Sequence, residues 1–317
     1  MSGVILIPKM FGSKFYVTDR YMCLFEMIRD KLGYRIIISN TTKDIPKHVD
    51  IIIAFKSPQH SNPETFMDLV ERSGKTKIVG YFSDIHSFGN KIYERNISRM
   101  LERCDVIICP YDEAFRDKWP QYRDKYIFFP QYFAPHERYA TLPFNKNPVY
   151  KCLLSGSVAP PNVYPIRMHI KMKGTSDKVT VMNHPGYRRN WFHELLGKIL
   201  QKELFMKESY AEEINRYFCS VATSSIYRYI VAKYFEIPAA GTLLLANETD
   251  DLKKLGFVPF RHYVPITHAD ALSKINECLS APQHFTEIRK QGMRFVRNHH
   301  SVNNRFSTLK DILENGL

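Results

Sequence analysis

Short, unbroken apolar runs recur along this chain, separated by stretches with helical spacing. GVILIP (3–8), RIIIS (35–39), VDIIIA (49–54), KIVGYF (77–82), CDVIIC (104–109) and the segment 125–129 each have the length of a strand and are rich in β-branched or aromatic residues. Their apolar residues are consecutive rather than alternating, which suits strands covered on both faces, as in a parallel sheet. Between the first two runs Tyr21, Leu24, Phe25, Ile28 and Leu32 keep helical spacing, with Thr18 placed to cap and Gly33 to stop the helix. Further helices are expected over 62–71 and 90–101. This alternation predicts an α/β fold built on a doubly wound parallel sheet.

At 317 residues the chain exceeds one ordinary core, so two domains are expected. The stretch 130–150 is rich in proline and aromatics, lacks periodicity, and reads as a hinge. A second α/β series follows, with strands at 151–155, 179–182, 219–222 and from Thr242. Its helices are expected over 191–200, from the capping box Ser209-x-x-Glu212 to Phe218, and over 269–279, 285–298 and 301–313.

Lys and Arg total 45 against 32 Asp and Glu, a net charge of +13, which favours an anionic partner: a nucleotide diphosphate, a phospholipid surface or nucleic acid. The six cysteines show no CxxC spacing and lie mostly in apolar runs, so they read as buried thiols in a reducing compartment. The N-terminal apolar run is too short for a signal peptide, and no run approaches the roughly 20 apolar residues of a spanning helix. The expectation is a cytoplasmic protein, soluble or peripheral to a membrane.

The stretch KYFEIPAAGTLLL (233–245) reads as the last turns of a helix begun after Thr223-Ser224-Ser225, a glycine break at Gly241, and a buried strand. Val231, Tyr234 and Phe235 supply the apolar face, and Pro238 disturbs the final turn. Glu236 is then a carboxylate on the last exposed turn, placed to hold sugar hydroxyls. The alternative is a solvated helix-end residue.

The line YRYIVAKYFEIPAAGTLLLANETDDLKKLGFVPFRHYVPI (227–266) resembles the donor-binding half of group 1 glycosyltransferases of the GT-B fold. It is nearest to the branch that includes spore-maturation-type transferases, with its Lys-x-Phe-Glu-x-Pro-Ala-x-Gly signature. The resemblance implies two Rossmann-like domains facing a cleft: an acceptor domain over 1–145, a donor domain over 146–300, and a helix over 301–317 crossing back to the first. It implies that Glu236 binds the donor ribose. Many relatives carry a second Glu eight positions earlier, where this chain has Arg228, so the paired-Glu motif is incomplete. It also implies that Gly156-Ser157 and Arg167 lie close to the donor diphosphate. A glycine turn plus a guanidinium suits a pyrophosphate, although an ordinary strand-to-helix turn looks the same in sequence.

Other candidates rest on chemistry and position. Arg228 and Lys233, placed on different faces of the expected helix, can meet a diphosphate or form a solvated basic face. His184 and Tyr187, in NHPGYRRN, can stack on or bond the base, or merely line their loop. Gly12, Ser13 and Lys14 form the loop after the first strand, where such a fold binds phosphate, but one glycine is a weak fingerprint. Asp84 and His86 follow the fourth strand at its C-terminal end, where open parallel sheets place ligands. Two residues apart, they share a direction. Asp84 can orient the acceptor hydroxyl or take its proton, and His86 can bond a sugar hydroxyl or developing charge; the alternative is a pair that ties down its own loop.

No serine nucleophile elbow, HExxH, Walker loop or EF-hand loop is present. Glu248, Asp250 and Asp251 lie in what reads as a surface turn and lack the first Asp of an Asp-x-Asp site. No metal and no cofactor is expected beyond the nucleotide-diphosphate sugar as substrate. The expected activity is transfer of a hexose or pentose to an acceptor hydroxyl on a glycan, a lipid-linked or protein glycan, or another anionic acceptor, by resemblance with retention and without metal. The alternatives are a DNA-modifying glycosyltransferase, which no aromatic-basic interleaving supports, and a non-catalytic nucleotide-sugar-binding protein.

Overall fold

A computed structural model describes residues 2–9, 20–55, 75–82, 85–86, 91–133, 137–158, 163–182 and 209–316. The helices expected over 62–71 and 191–200 and the cap at Thr18 lie outside these residues. The chain divides into two compact units, one of residues 1–130 with 305–317 and the other of residues 131–304.

The first unit is built on β1 (Gly3–Ile7), β2 (Arg35–Ile38), β3 (Ile51–Phe55), β4 (Lys77–Tyr81), β5 (Val106–Cys109) and β6 (Tyr126–Phe128). They form one sheet in the order β2-β1-β3-β4-β5-β6, and every pair is parallel. All five residues of β1 and of β3 are buried, as their unbroken apolar composition requires. Helix α1 (Arg20–Leu32) buries Tyr21, Leu24, Phe25 and Ile28, one face at helical spacing. Phe25, Phe55, Tyr81 and Phe129 pack edge to face beneath it, with ring centroids 4.9 to 5.4 Å apart along the chain of contacts. Helix α2 (Lys91–Arg103) precedes β5. The sequence reading missed α3 (Asp112–Lys118) and the 3-10 turn Pro120–Lys125 after it. Two turns are too short to display a period.

The second unit holds α4 (Glu137–Thr141), also missed, then β7 (Val149–Ser155), α5 (Pro165–Lys173), β8 (Val179–Met182), α6 (Ser209–Asn215), β9 (Tyr217–Ala222) and α7 (Lys233–Ala239). It continues with β10 (Leu243–Ala246), α8 (Asp250–Lys254), β11 (Val264–Pro265), α9 (Ala271–Ser280) and α10 (Pro282–His299). A last helix, α11 (Val302–Asn315), leads into the residues that count with the first unit. There Arg305 Nε donates to the Pro130 carbonyl at 3.0 Å, and the Lys31 ammonium lies 4.9 Å from the Phe306 ring.

The second sheet is again all parallel, in the order β11-β10-β9-β7-β8. Alternate residues of each strand feed separate cores. Leu153, Ala222, Leu244 and Ala246 pack with Tyr234, Phe235 and Phe257 on one face. Cys152, Leu154, Val221, Leu243 and Leu245 pack with Ile170, Ile275 and Cys278 on the other. Burial pushes the thiols of Cys104 and Cys278 up to about 12 and raises that of Cys219, so these cysteines are inert apolar filler. No described helix is long and apolar enough to cross a membrane.

Two boundaries differ from the sequence reading. The helix expected to reach Phe218 stops at Asn215, and β9 starts at Tyr217. The helix expected after Thr223-Ser224-Ser225 starts only at Lys233 and has seven residues. Before it, the Ser225 hydroxyl accepts from the Tyr227 N–H at 3.2 Å and Arg228 adopts a left-handed φ of 60°. Such local side-chain bonding competes with helix formation.

Candidate functional site

In the second sheet β8 lies on one side of β7 and β9 on the other. The chain's direction of winding therefore reverses between β7 and β9. In open parallel sheets the crevice beyond the strand C-termini at such a point is where ligands bind.

The residues there are set by the strand ends. Gly156 follows β7 with φ +96°, a conformation that a Cβ disfavours. A Cβ at this position would lie 2.7 Å from Lys233 Cε and 3.5 Å from Arg167 Nη1, so two cationic side chains flank the turn. Arg167, in the first turn of α5, is 2% exposed. Its guanidinium lies 4.1 Å from the Tyr164 ring centroid, donates through Nη2 to the Thr223 carbonyl at 2.8 Å, and reaches the Ser157 carbonyl at 3.4 Å. It therefore fastens the turn after β7 to the segment after β9.

Lys233 opens α7. Its ammonium donates to Ser155 Oγ at 3.0 Å and to the Tyr210 hydroxyl, and lies 4.5 Å from the Tyr210 ring centroid. Ser155 and Tyr210 share a further hydrogen bond of 2.8 Å. Among the described residues the hydrogen-bond partners of Lys233 are neutral hydroxyls. An anion in the turn can draw on this charge without breaking an ion pair between them.

Asn247, just past β10, ties the neighbouring segment together. Its Oδ1 accepts from the Ser224 N–H at 2.8 Å and the Tyr234 hydroxyl at 2.9 Å, and its Nδ2 donates to Ser224 Oγ at 2.8 Å. Burial raises the Tyr234 phenol well above its ordinary value, against the opposing pull of the Arg167 charge, so it stays a neutral donor.

Glu236 is not on an exposed last turn. It is 8% exposed in the middle of α7, because that helix begins only three residues earlier and its neighbours Tyr234, Phe235 and Ile237 enter the core. Three residues past Lys233, it shares that residue's side of the helix. Arg228 is not on the helix at all. It is exposed in the preceding segment, where its N–H donates to the Ser225 carbonyl at 2.8 Å. In the first unit His86 is half-buried just past β4. Asp84, His184, Tyr187, Gly12, Ser13 and Lys14 lie outside the described residues.

The structure thus brings together Gly156, Ser157, Arg167 and Lys233. It adds Ser155, Tyr210, Thr223 and Asn247, which in the sequence alone are a strand end, part of a capping box, a helix lead-in and a turn. No local pattern marks them, since their partners lie 13 to 78 residues away. The acidic turn is also accounted for. The Thr249 hydroxyl caps α8 by accepting from the Leu252 N–H at 3.1 Å, so Asp250 and Asp251 are first-turn acids at the positive end of a helix.

Residues 167–311 match a family model described as glycosyl transferase-like. No curated protein matches the chain by sequence. Solved structures share its fold over nearly all of its length. An alpha-glucosyltransferase in complex with UDP-glucose and DNA containing an abasic site is 13% identical with a TM-score of 0.65, covering 99% of each chain. Sucrose-phosphate synthase from Thermosynechococcus elongatus is 10% identical with a TM-score of 0.67, covering 99% of this chain and 98% of that one. Anabaena HepE in complex with UDP is 12% identical with a TM-score of 0.66, covering 99% of each. The fold is therefore that of the GT-B glycosyltransferases: two α/β units, each on a parallel sheet. The matched segment begins at Arg167 and carries Lys233 and Glu236.

Proposed function

We propose that this chain is a glycosyltransferase that moves a sugar from a nucleotide-diphosphate donor to an acceptor hydroxyl. The observation that carries the reading is the convergence of Arg167 and Lys233 on the Gly156 turn at the switch point of the second sheet. In this reading the two cations and the turn's backbone hold the diphosphate, and Glu236, on the helix that starts with Lys233, holds the ribose diol. The bond from the anomeric carbon to phosphate breaks, the bond to the acceptor oxygen forms, and the diphosphate leaves with its charge met by Arg167 and Lys233. The acceptor proton passes to a base; Asp84 is proposed for that role, and His86 is proposed to bond a sugar hydroxyl or the developing charge. Fixed cations replace a metal in this scheme, and Asp250 and Asp251 of the NETDD turn sit in the first turn of α8. Retention of configuration and kinship with the spore-maturation-type branch rest on the signature at 233–241.

One observation favours a second acceptor. The net charge is +13, and one structure with the same fold holds DNA. A hydroxyl on duplex DNA is therefore the rival to a glycan or lipid-linked acceptor. The test is donor hydrolysis and transfer with UDP-, GDP- and ADP-sugars, with and without EDTA. Turnover of at least one donor, insensitive to EDTA, is expected. Donor binding without any turnover would replace the enzyme by a binding protein. Activity lost in EDTA and restored by manganese would overturn the metal-independent scheme.

A further inference from the structure

We propose that the cavity at the C-terminal ends of β10 and β11 is a saccharide subsite, with Phe260 as its stacking platform and Glu248 and Asp270 as its hydroxyl partners. The cavity encloses about 540 Å³ and is lined by these three side chains together with Asn247, Ile266 and Lys274. That volume lies within the roughly 300–1,000 Å³ of small-molecule sites.

The backbone of Phe260 is the first pointer. Its φ is 57°, and only Arg228 shares a positive φ among the described residues other than glycine. A bulky side chain is strained there, and glycine would make the same turn without strain. Packing does not repay the strain, because Phe260 is 55% exposed. The turn itself is firmly built. The Phe260 N–H donates to the Tyr263 carbonyl at 2.7 Å, and the His262 N–H to the Val258 carbonyl at 2.9 Å. A strained, exposed aromatic on a rigid turn at the rim of a cavity is what a ligand platform requires.

The chemistry of the lining selects the ligand class. Lys274 is ion-paired with Glu277 at 2.8 Å, so its charge is already met. Glu248 and Asp270 then leave the cavity unfavourable to a phosphate. The Lys274 ammonium, 5.9 Å from the Phe260 ring centroid, already fills the place of a cation beside that ring. A neutral polyol with one apolar face satisfies both conditions. Its C–H face covers the ring and its hydroxyls donate to carboxylates. Both acids are held in place: Glu248 Oε1 accepts from the Tyr263 hydroxyl at 3.3 Å, and Asp270 Oδ1 from the Thr267 N–H at 2.6 Å. The cavity contains neither Arg167, Lys233 nor Gly156, yet Asn247 joins it to the Ser224 segment beside the diphosphate turn. It is thus separate from the donor's charged end and adjoins the segment beside it. Calling the saccharide the acceptor rests on the glycosyltransferase reading; the subsite itself does not.

The test uses the full chain, saturation-transfer NMR and calorimetry. Maltose, cellobiose, lactose and N-acetylglucosamine are the saccharide probes, with UDP, GDP and ADP titrated in parallel. At least one saccharide should bind, and Phe260→Ala should weaken it at least fivefold while nucleotide affinity stays within twofold. Phe260→Gly separates platform from scaffold: it should lose the saccharide equally while its Tm holds or rises. No saccharide binding by the wild type, or unchanged binding in Phe260→Gly, overturns the subsite. Saccharide binding by a chain that takes none of the nucleotides supports the subsite and overturns the transferase reading, so the two failures are distinct.

Discussion

Replacing Gly156 by alanine puts one methyl group into the space on which the proposed diphosphate site depends. Two costs follow. The left-handed backbone at φ +96° strains any Cβ, by about 1–2 kcal/mol. The new Cβ also stands 2.7 Å from Lys233 Cε, so the lysine must swing away from the turn and from Ser155 and Tyr210. If Lys233 donates a charged hydrogen bond to the diphosphate, its loss removes about 1.5–3 kcal/mol, roughly a tenfold to hundredfold weaker nucleotide. Urea unfolding measures the first cost and calorimetry with the tightest-binding nucleoside diphosphate measures the second. A double-mutant cycle with Lys233→Ala isolates the clash. Once the lysine is gone the alanine has room, so the double mutant should bind no more weakly than Lys233→Ala alone, while the backbone part of the instability remains. Wild-type nucleotide affinity in a destabilised Gly156→Ala protein would refute the reasoning, as would fully additive binding losses.

Two further outcomes are expected. Glu236→Gln keeps the volume of a buried side chain and removes its charge; it should weaken nucleotide binding at least tenfold, about 1.4 kcal/mol, and unchanged affinity by calorimetry would remove Glu236 from the ribose. Burial, helped by the charges of Arg261 and His299, holds the His262 imidazole below its ordinary value while its Nδ1 accepts from the Val258 N–H at 3.1 Å and its ring stacks on Phe295. The unfolded chain therefore takes up this proton first as pH falls. The His262 contribution is fully present above the unfolded value of about 6.5 and is lost as pH falls through the lower folded one. Stability measured between pH 7 and 5 should fall less steeply in His262→Gln, and equal slopes would refute the assignment.

The strands were legible because burial on both faces leaves a mark in every residue. β1, β3 and β5 read directly from GVILI, IIIAF and VIIC. The start of α7 was not legible. Val231, Tyr234 and Phe235 have the spacing of a helix face, yet the hydroxyl of Ser225 and the left-handed Arg228 hold the chain out of a helix until Lys233. That single shift turns Glu236 from an exposed end into a buried centre. Gly156, Arg167 and Lys233 could each be named from residue type and local motif. That they meet is a tertiary fact, carried by contacts such as Lys233 with Ser155 across 78 positions.

A seven-residue helix is too short to be stable by its own hydrogen bonds, so something else must fix the direction in which α7 presents Lys233 and Glu236. Beyond the burial of Tyr234 and Phe235 and the side-chain bonds of Lys233 and Tyr234, a set of backbone anchors lies at its far end. The Gly241 N–H donates to the Pro238 carbonyl and the Thr242 N–H to the Ile237 carbonyl, with Gly241 at φ +78°, a left-handed stop that ties up the last turn. Arg297 of α10 donates to the Ala239 carbonyl at 2.9 Å and to those of Ala140 and Leu142 at 3.0 and 2.8 Å, while Arg289 reaches the Gly241 carbonyl at 2.9 Å. Burial lowers both guanidinium groups to about 10, so they remain charged at neutral pH and act as donors throughout. Cations at a helix C-terminus also complement its dipole. The C-terminal end of α7 is thus held by α10 from behind, and its first turn carries the proposed chemistry. A site built from one end of a short helix has the precision of the element that clamps the other end. On this account α10, distant in sequence from every donor-binding candidate, sets the position of two of them.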